Sequence, residues 1–100
     1  LELFNAVQIY FTKRTVFPAD EYQDALPSSH PFLTDDGKTW INLENFYGFV
    51  DRHKLIKGIT YRDLQNRMTQ VKFEKRKFDE TIHDERVQRR YWGGIVGEWD

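Results

Sequence analysis

Apolar residues recur at helical spacing in three stretches of the chain and at alternating spacing near its end. The first stretch is residues 2–13, where a stripe from Leu3 to Phe11 favours a helix. Val7, Ile9 and Phe11 also alternate as they would in a strand, so both structures fit this segment, and the helix is the one we predict.

The second stretch follows Asn42, a residue type that caps helices, and its apolar positions keep helical spacing to about Lys54. Gly48 lies inside this helix, where glycine costs on the order of 1 kcal/mol relative to alanine. We therefore expect Gly48 to allow close packing against another helix. The core aromatic residues predicted from this region are Trp40, Phe46 and Phe49.

The third stretch, residues 60–70, reads as a short helix with a start signal. Thr60 is the predicted N-cap, and Asp63 stands where a capping-box carboxylate reaches back to free backbone N–H groups. Leu64 and Met68 give the helix one apolar face. The polar side chains off that face are Arg62, Gln65, Asn66, Thr69 and Gln70.

Residues 18–41 connect the first two helices, and three prolines break regular structure there. Residues 19–26 can make one or two helical turns. Residues 35–38 contain an Asp-Gly turn, and residues 39–41 can form a short strand after it.

Beyond residue 70 the period shortens to two, which predicts an antiparallel hairpin. Residues 71–78 read as the outgoing strand, residues 79–88 as a long loop or a hairpin tip, and residues 89–96 as the returning strand. The two glycines of the returning strand imply a bulge or a close backbone approach. Trp99 is expected to pack back on the core.

The predicted fold class is α+β, as a winged helix-turn-helix with three helices plus a β-hairpin wing. A three-helix cluster of this size leaves an apolar edge that a short antiparallel ribbon can cover. One hundred residues make a single domain. We assign residues 42–100 to the winged-helix core and residues 1–41 to an N-terminal helix and connective segment packed on it.

Composition narrows the function classes. The absence of cysteine excludes a disulfide framework and a thiolate metal site. No apolar run approaches membrane-spanning length, so we expect no membrane partner and a cytoplasmic location. The chain begins with Leu rather than Met, which favours a piece of a longer protein.

Charge is unevenly distributed along the chain, although the net charge is only −1. Residues 1–42 carry a net charge of −3. Residues 52–77 hold nine basic against two acidic side chains, a net charge of +7. A locally basic surface on a nearly neutral domain suits a polyanion, and an ordinary solvated surface explains the charge alone equally well.

Three segments with a recognisable order cover residues 40–95: Trp-Ile-Asn-Leu-x-x-Phe-Tyr-x-Phe-Val, then Gly-Ile-Thr-Tyr-Arg-Asp-Leu, then a basic strand and Arg-Arg-Tyr-Trp-Gly-Gly-Ile. This order resembles the C-terminal winged-helix domain of phage and plasmid helicase-primases of the poxvirus type. RFX-type winged helices have a similar ending. The resemblance implies a non-enzymatic, DNA-binding module of a larger replication or mobile-element protein.

In such a module the helix over residues 60–70 would lie along the major groove, and the basic hairpin would contact phosphates. Arginine reads guanine, and asparagine or glutamine reads adenine, through paired hydrogen bonds. Duplex DNA is favoured over a single strand as the partner. The candidate nucleic-acid-binding residues are Arg62, Gln65, Asn66, Gln70, Lys72, Lys75, Arg76, Lys77, Arg89 and Arg90.

The rival function is a protein–protein interaction domain that docks another subunit through its N-terminal half. Exposure of the aromatic residues there would favour this function: Tyr10, Phe11, Phe17 and Tyr22.

No catalytic residue, cofactor or metal is predicted, because the chain has no phosphate-binding loop and no serine or cysteine nucleophile placed with a histidine. His83 with Asp79, Asp84 and Glu85 is the one cluster with metal-binding side chains, and solvated residues at a hairpin tip are the simpler explanation. Tyr91 and Trp92 are candidates for stacking on a base, although a hairpin aromatic is more often part of the core.

Overall fold

Pairs of helices are followed by pairs of strands in the computed structural model, which describes residues 2–82 and 84–96. The helices of this part are α1 (Glu2–Lys13), α2 (Tyr22–Ala25), α3 (Leu43–His53) and α4 (Tyr61–Gln70), with 3-10 turns at Ala19–Glu21 and Leu26–Ser28 around α2. The strands are β1 (Phe32–Leu33), β2 (Thr39–Ile41), β3 (Glu74–Ile82) and β4 (Glu85–Gly94). The predicted α+β class is confirmed.

Helix α1 confirms the helical prediction for the first stretch, and its burial explains why a strand does not form. Leu3, Val7 and Tyr10 are buried on one face, at the spacing of a helix. Ile9, which a strand would place on the same side as Val7, is 40% exposed. The Tyr10 hydroxyl donates a hydrogen bond to Oδ1 of Asn45 at 2.6 Å, which joins α1 to α3.

Helix α3 begins after Asn42 as predicted. The Asn42 side chain accepts a hydrogen bond from the backbone N–H of Asn45 at 2.9 Å. The helix ends where Lys54 takes the left-handed conformation, with φ of 55°. The prediction for Gly48 is wrong, because a Cβ added there would meet no atom within 4 Å, so no neighbouring helix packs against it.

Helix α4 begins with the predicted capping box. The Thr60 hydroxyl accepts from the Asp63 backbone N–H, and the Asp63 carboxylate accepts from the Thr60 backbone N–H, each at 3.1 Å. Hydrogen bonds to the Asp63 carboxylate from the Thr60 backbone N–H and, to a lesser degree, from the Thr60 hydroxyl hold the pKa of Asp63 below its ordinary value. Leu64 and Met68 are fully buried, so the predicted apolar face is the one that packs.

The sheet is antiparallel and has the strand order β1-β2-β4-β3. The predicted two-stranded hairpin is present as β3 and β4, but it is part of a four-stranded sheet that the sequence did not predict. Strand β2 pairs with β4 through Trp40 opposite Gly93, so the segment before α3 becomes part of the sheet. A three-residue strand carries too short a pattern to reveal its partner from sequence.

The hairpin of β3 and β4 is also longer than predicted. Its ladder runs from Glu74 opposite Gly93 to Ile82 opposite Glu85, which leaves two residues for the turn. A long loop over residues 79–88 is thus excluded, although a tip does lie within that range. The sequence beyond Phe78 is mostly polar, and an alternating pattern reveals only strands that have one apolar side. His83, at the tip, lies outside the described residues.

The sheet separates two hydrophobic cores. The larger core fills the space between one face of the sheet and α1, α3 and α4, and Phe46, Leu64 and Trp92 belong to it. The smaller core joins the other face to α2 and β1, with Trp40 and Tyr91 at its centre. The predicted contact of Trp99 lies outside the described residues. No helix within residues 2–82 and 84–96 is both long and apolar enough to cross a membrane.

The two glycines at the end of β4 allow aromatic rings to lie close to the backbone. A close approach was one of the two predictions for these glycines, and a bulge was the other. A Cβ on Gly93 would lie 2.2 Å from the Trp40 ring, and a Cβ on Gly94 would lie 2.4 Å from the Phe73 ring. The ladder continues through Gly93 on both sides without an extra residue. The glycines therefore serve packing of aromatic rings, one in each core.

Candidate functional site

The basic residues of the hairpin divide between the two faces of the sheet. Residues opposite each other in an antiparallel ladder share a face, and successive residues alternate. Lys75 faces Trp92 across the ladder and Lys77 faces Arg90, so these cations share the face that carries α3 and α4. The Lys75 ammonium lies 5.4 Å from the centre of the Trp92 ring. Lys77 and Arg90 are exposed and make no ion pair among the described residues.

The other face carries cations that are already engaged. The Arg76 guanidinium lies 4.9 Å from the Phe78 ring centre and 5.7 Å from that of Trp40. Arg89 pairs with Glu80 at 2.9 Å, and the Glu80 side chain is only 8% exposed. Of the predicted hairpin cations, Arg76 and Arg89 thus lie apart from the other three, and packing and pairing explain their positions.

The polar side of α4 continues the first of these two faces. Arg62 and Asn66 are exposed and Gln65 is partly buried, all turned away from Leu64 and Met68. Within residues 2–82 and 84–96, the side chains of Arg62, Gln65 and Asn66 make no hydrogen bond or ion pair. These three predicted residues form one accessible strip.

Gln70 lies one turn beyond Asn66 at the end of α4, and Lys72 lies in the turn that follows the helix. Gln70 lines a separate open depression with Leu3 of α1 and Arg67. Arg67 there pairs with Glu2 at 3.6 Å. Lys72 is exposed in the turn that follows α4, where its φ is 66°. Because Arg76 and Arg89 lie on the opposite face of the sheet, the ten predicted residues do not form one continuous surface.

A groove of about 420 Å³ runs between the start of α3, the first turns of α4 and the base of the hairpin. Among its lining side chains are Glu44, Tyr61, Gln65, Lys75, Arg90 and Trp92. The lining includes four of the predicted residues, Gln65 from α4 and Lys75, Arg89 and Arg90 from the hairpin. Its other named side chains supply one carboxylate and two aromatic rings.

Two charged side chains of the groove act on the pKa of Tyr61. Burial raises the pKa of Tyr61, the Glu44 carboxylate raises it further, and the Arg90 guanidinium opposes both. A negative and a positive side chain therefore both act on one ring. The ring makes an edge-on contact with Tyr47, with centroids 5.6 Å apart. The Tyr47 hydroxyl in turn donates to the backbone oxygen of Ile59 at 3.3 Å.

Glu44 is the groove residue that sequence reasoning missed. Its one sequence signal is an acidic side chain in the first turn of a helix, a common placement that stabilises the helix dipole. Its position near Arg90 depends on how the hairpin packs against α3. No local pattern reports a contact between residues so far apart in the chain.

The aromatic residues of the N-terminal half are packed into the cores. Tyr10 is fully buried, whereas Phe11, Phe17 and Tyr22 are partly buried against a core. The exposure that would have favoured a protein-interaction surface there is not found. Tyr91 and Trp92 are buried as well, at 0% and 6% exposure, as the core interpretation predicted.

The proposed metal cluster at the hairpin tip includes His83, which lies outside the described residues. Within residues 2–82 and 84–96, no group of three or more histidine or acidic side chains is arranged to hold a metal ion.

Comparisons with protein-family models, with curated proteins and with solved structures each find no match. The resemblance to helicase-primase winged helices therefore stays a prediction that rests on residues 40–95.

Proposed function

We propose that this chain is a non-enzymatic winged-helix module that binds duplex DNA through the exposed strip of α4 and the cationic face of the hairpin. The module would belong to a larger replication or mobile-element protein, such as a phage helicase-primase, and would hold that protein on DNA.

The order of elements supports the winged-helix part of the proposal. Helix α1 is followed by α2 and β1, by the short strand β2, by the helices α3 and α4, and by the hairpin of β3 and β4. Strand β2 pairs with the returning strand β4, so the hairpin is anchored beside the helices. A helix presented next to such a ribbon can enter the major groove while the ribbon follows the backbone.

The distribution of unpaired charge is the observation that carries the DNA-binding proposal. Lys77 and Arg90 face the α4 side without an ion pair among the described residues, whereas Arg89 on the opposite face is paired with Glu80. Arg62 adds a further exposed cation on α4. A polyanion that approaches the α4 side thus meets cations whose existing ion pairs need not be broken first, because they have none among the described residues.

The test is fluorescence anisotropy with a labelled random duplex at several salt concentrations. Phosphate contacts from the four cations of this side, Arg62, Lys75, Lys77 and Arg90, predict a log–log slope of binding against salt of about −3 to −4. The double variant Lys77→Ala with Arg90→Ala should reduce the magnitude of that slope by about 2. Lys13→Ala removes an exposed cation of α1 outside the groove and should leave the slope as it is.

Two results would contradict the proposal. One is no salt-dependent binding of duplex by the unmodified chain at low salt. The other is the same slope in the double variant and in the unmodified chain, since the hairpin face would then contact no phosphate.

A further inference from the structure

The groove between α3, α4 and the hairpin has a mixed chemistry that phosphate contact alone does not require. Its volume of about 420 Å³ falls within the range of small-molecule sites. Lys75 and Arg90 line the hairpin side, and Glu44 lines the side formed by α3. A carboxylate in a site built only for phosphates would weaken binding by charge repulsion.

The shape of the groove limits what part of DNA can enter it. The base edges of a duplex lie at the floor of its own grooves, the major groove being about 8.5 Å deep. A recess in a protein cannot reach a base edge that is itself recessed. A nucleotide that projects from the duplex, with its base unpaired, can enter.

The groove holds the side chains that such a nucleotide needs. A carboxylate accepts hydrogen bonds only, and the amino groups of bases donate them, as in the pairing of Glu with cytosine. Gln65 follows Tyr61 by four residues, on the same side of α4, and offers both a donor and an acceptor. The Tyr61 ring, held by Tyr47, offers a surface on which a base can stack.

We propose that this groove binds one unpaired nucleotide next to a duplex, with its phosphate at Lys75 and Arg90, its base on the Tyr61 ring and its amino group at Glu44. This inference rests on the proposed function and names the DNA structure that the same surface prefers. The preferred partner is a duplex with a short single-stranded extension, not a blunt duplex.

The test compares a blunt duplex, the same duplex with a two-nucleotide extension, and that extension with abasic sugars, all by anisotropy competition at one salt concentration. When the two nucleotides of the extension are cytosines, we expect the extended duplex to bind at least fivefold more tightly than the blunt duplex. The abasic extension should lose that advantage, because it keeps the phosphates and lacks the base. A thymine extension, which has no amino group, should bind more weakly than cytosine.

Variants assign the advantage to the groove. Glu44→Gln should reduce the preference for cytosine over thymine, and Tyr61→Leu should reduce the advantage of every extension that carries bases. Glu21→Gln changes an exposed carboxylate outside the groove and should preserve both preferences. Thermal unfolding of each variant shows whether the fold is retained before its binding is compared.

The outcomes separate this inference from the function on which it rests. If the blunt duplex binds with the expected salt dependence and the extension adds nothing, or if the abasic extension binds as well as cytosine, the inference is overturned and duplex binding stands. If no DNA binds, both are overturned. An advantage that Glu44→Gln and Tyr61→Leu leave intact would place the nucleotide elsewhere and overturn the groove assignment.

Discussion

The same substitution, glycine to alanine, should have opposite effects at Gly93 and Gly48. At Gly93 the new methyl carbon would lie 2.2 Å from two atoms of the Trp40 ring, whereas ordinary contact lies at 3.4–4 Å. At Gly48 the new methyl carbon meets nothing within 4 Å. The first substitution overfills a core, and the second removes a helix-interior glycine.

The strain at Gly93 has no easy release. Trp40 is fully buried, and its Nε1 donates a hydrogen bond to the Thr34 hydroxyl at 2.9 Å. Gly93 pairs with strands on both sides, so its backbone is held too. Overpacking typically costs about 1–3 kcal/mol, and because neither partner can shift freely we expect about 3 kcal/mol. That loss lowers the melting temperature by roughly 12–24 °C for a domain of this size.

Gly48→Ala should raise the free energy of unfolding by about 1 kcal/mol, because alanine has less backbone freedom to lose in a helix. The corresponding rise in melting temperature is roughly 4–8 °C. Thermal unfolding followed by circular dichroism measures both variants under one set of conditions. A Gly93→Ala variant that melts within a few degrees of the unmodified chain would refute the close approach of Trp40. Destabilisation by Gly48→Ala would refute the open surroundings of that helix position.

Three further predictions concern caps and buried hydroxyls. Thr60→Ala should lower the free energy of unfolding by about 1 kcal/mol in urea denaturation, since it removes half of the capping box. Because hydrogen bonds from Thr60 lower the pKa of Asp63 in the folded chain, stability should fall as pH drops through the ordinary carboxyl range, and Asp63→Asn should flatten that fall. Burial raises the pKa of Tyr10 to about 12, so stability should decline as pH rises from about 10 to about 12. Ultraviolet absorbance titration checks the last prediction, with Tyr10→Phe as the control that removes the titrating group.

Local signals in the sequence located the starts of the long helices. Asn42 and Thr60 cap α3 and α4 through bonds to backbone groups only three residues away. The apolar face of α4 could also be predicted from the sequence, because Leu64 and Met68 lie one turn apart. Each of these features is decided within a few residues, so the sequence near it contains the information.

Features that depend on residues far apart in the chain could not be predicted from the sequence. The pairing of β2 with β4 joins residues about fifty positions apart, and the mostly polar sequence beyond Phe78 has no alternating apolar pattern to mark the strands there. Gly48 was misread because its exposure depends on where the other helices pack. The sequence also did not predict that Glu44 lines the same groove as the hairpin cations, because that arrangement follows from tertiary packing.

Burial on both faces of the sheet decides which cations can act. Tyr91 belongs to the smaller core and Trp92 to the larger one, so β4 is covered on both sides where it meets β3. The run from Lys75 to Lys77 alternates across that sheet, and Arg76 between them packs on aromatic rings of the smaller core. The basic residues of this strand therefore divide between the two faces of the sheet, and only those on the face beside α4 form a surface with that helix. Any functional test that substitutes the whole run at once would combine loss of binding with loss of packing, which is why the face-specific substitutions are the informative ones.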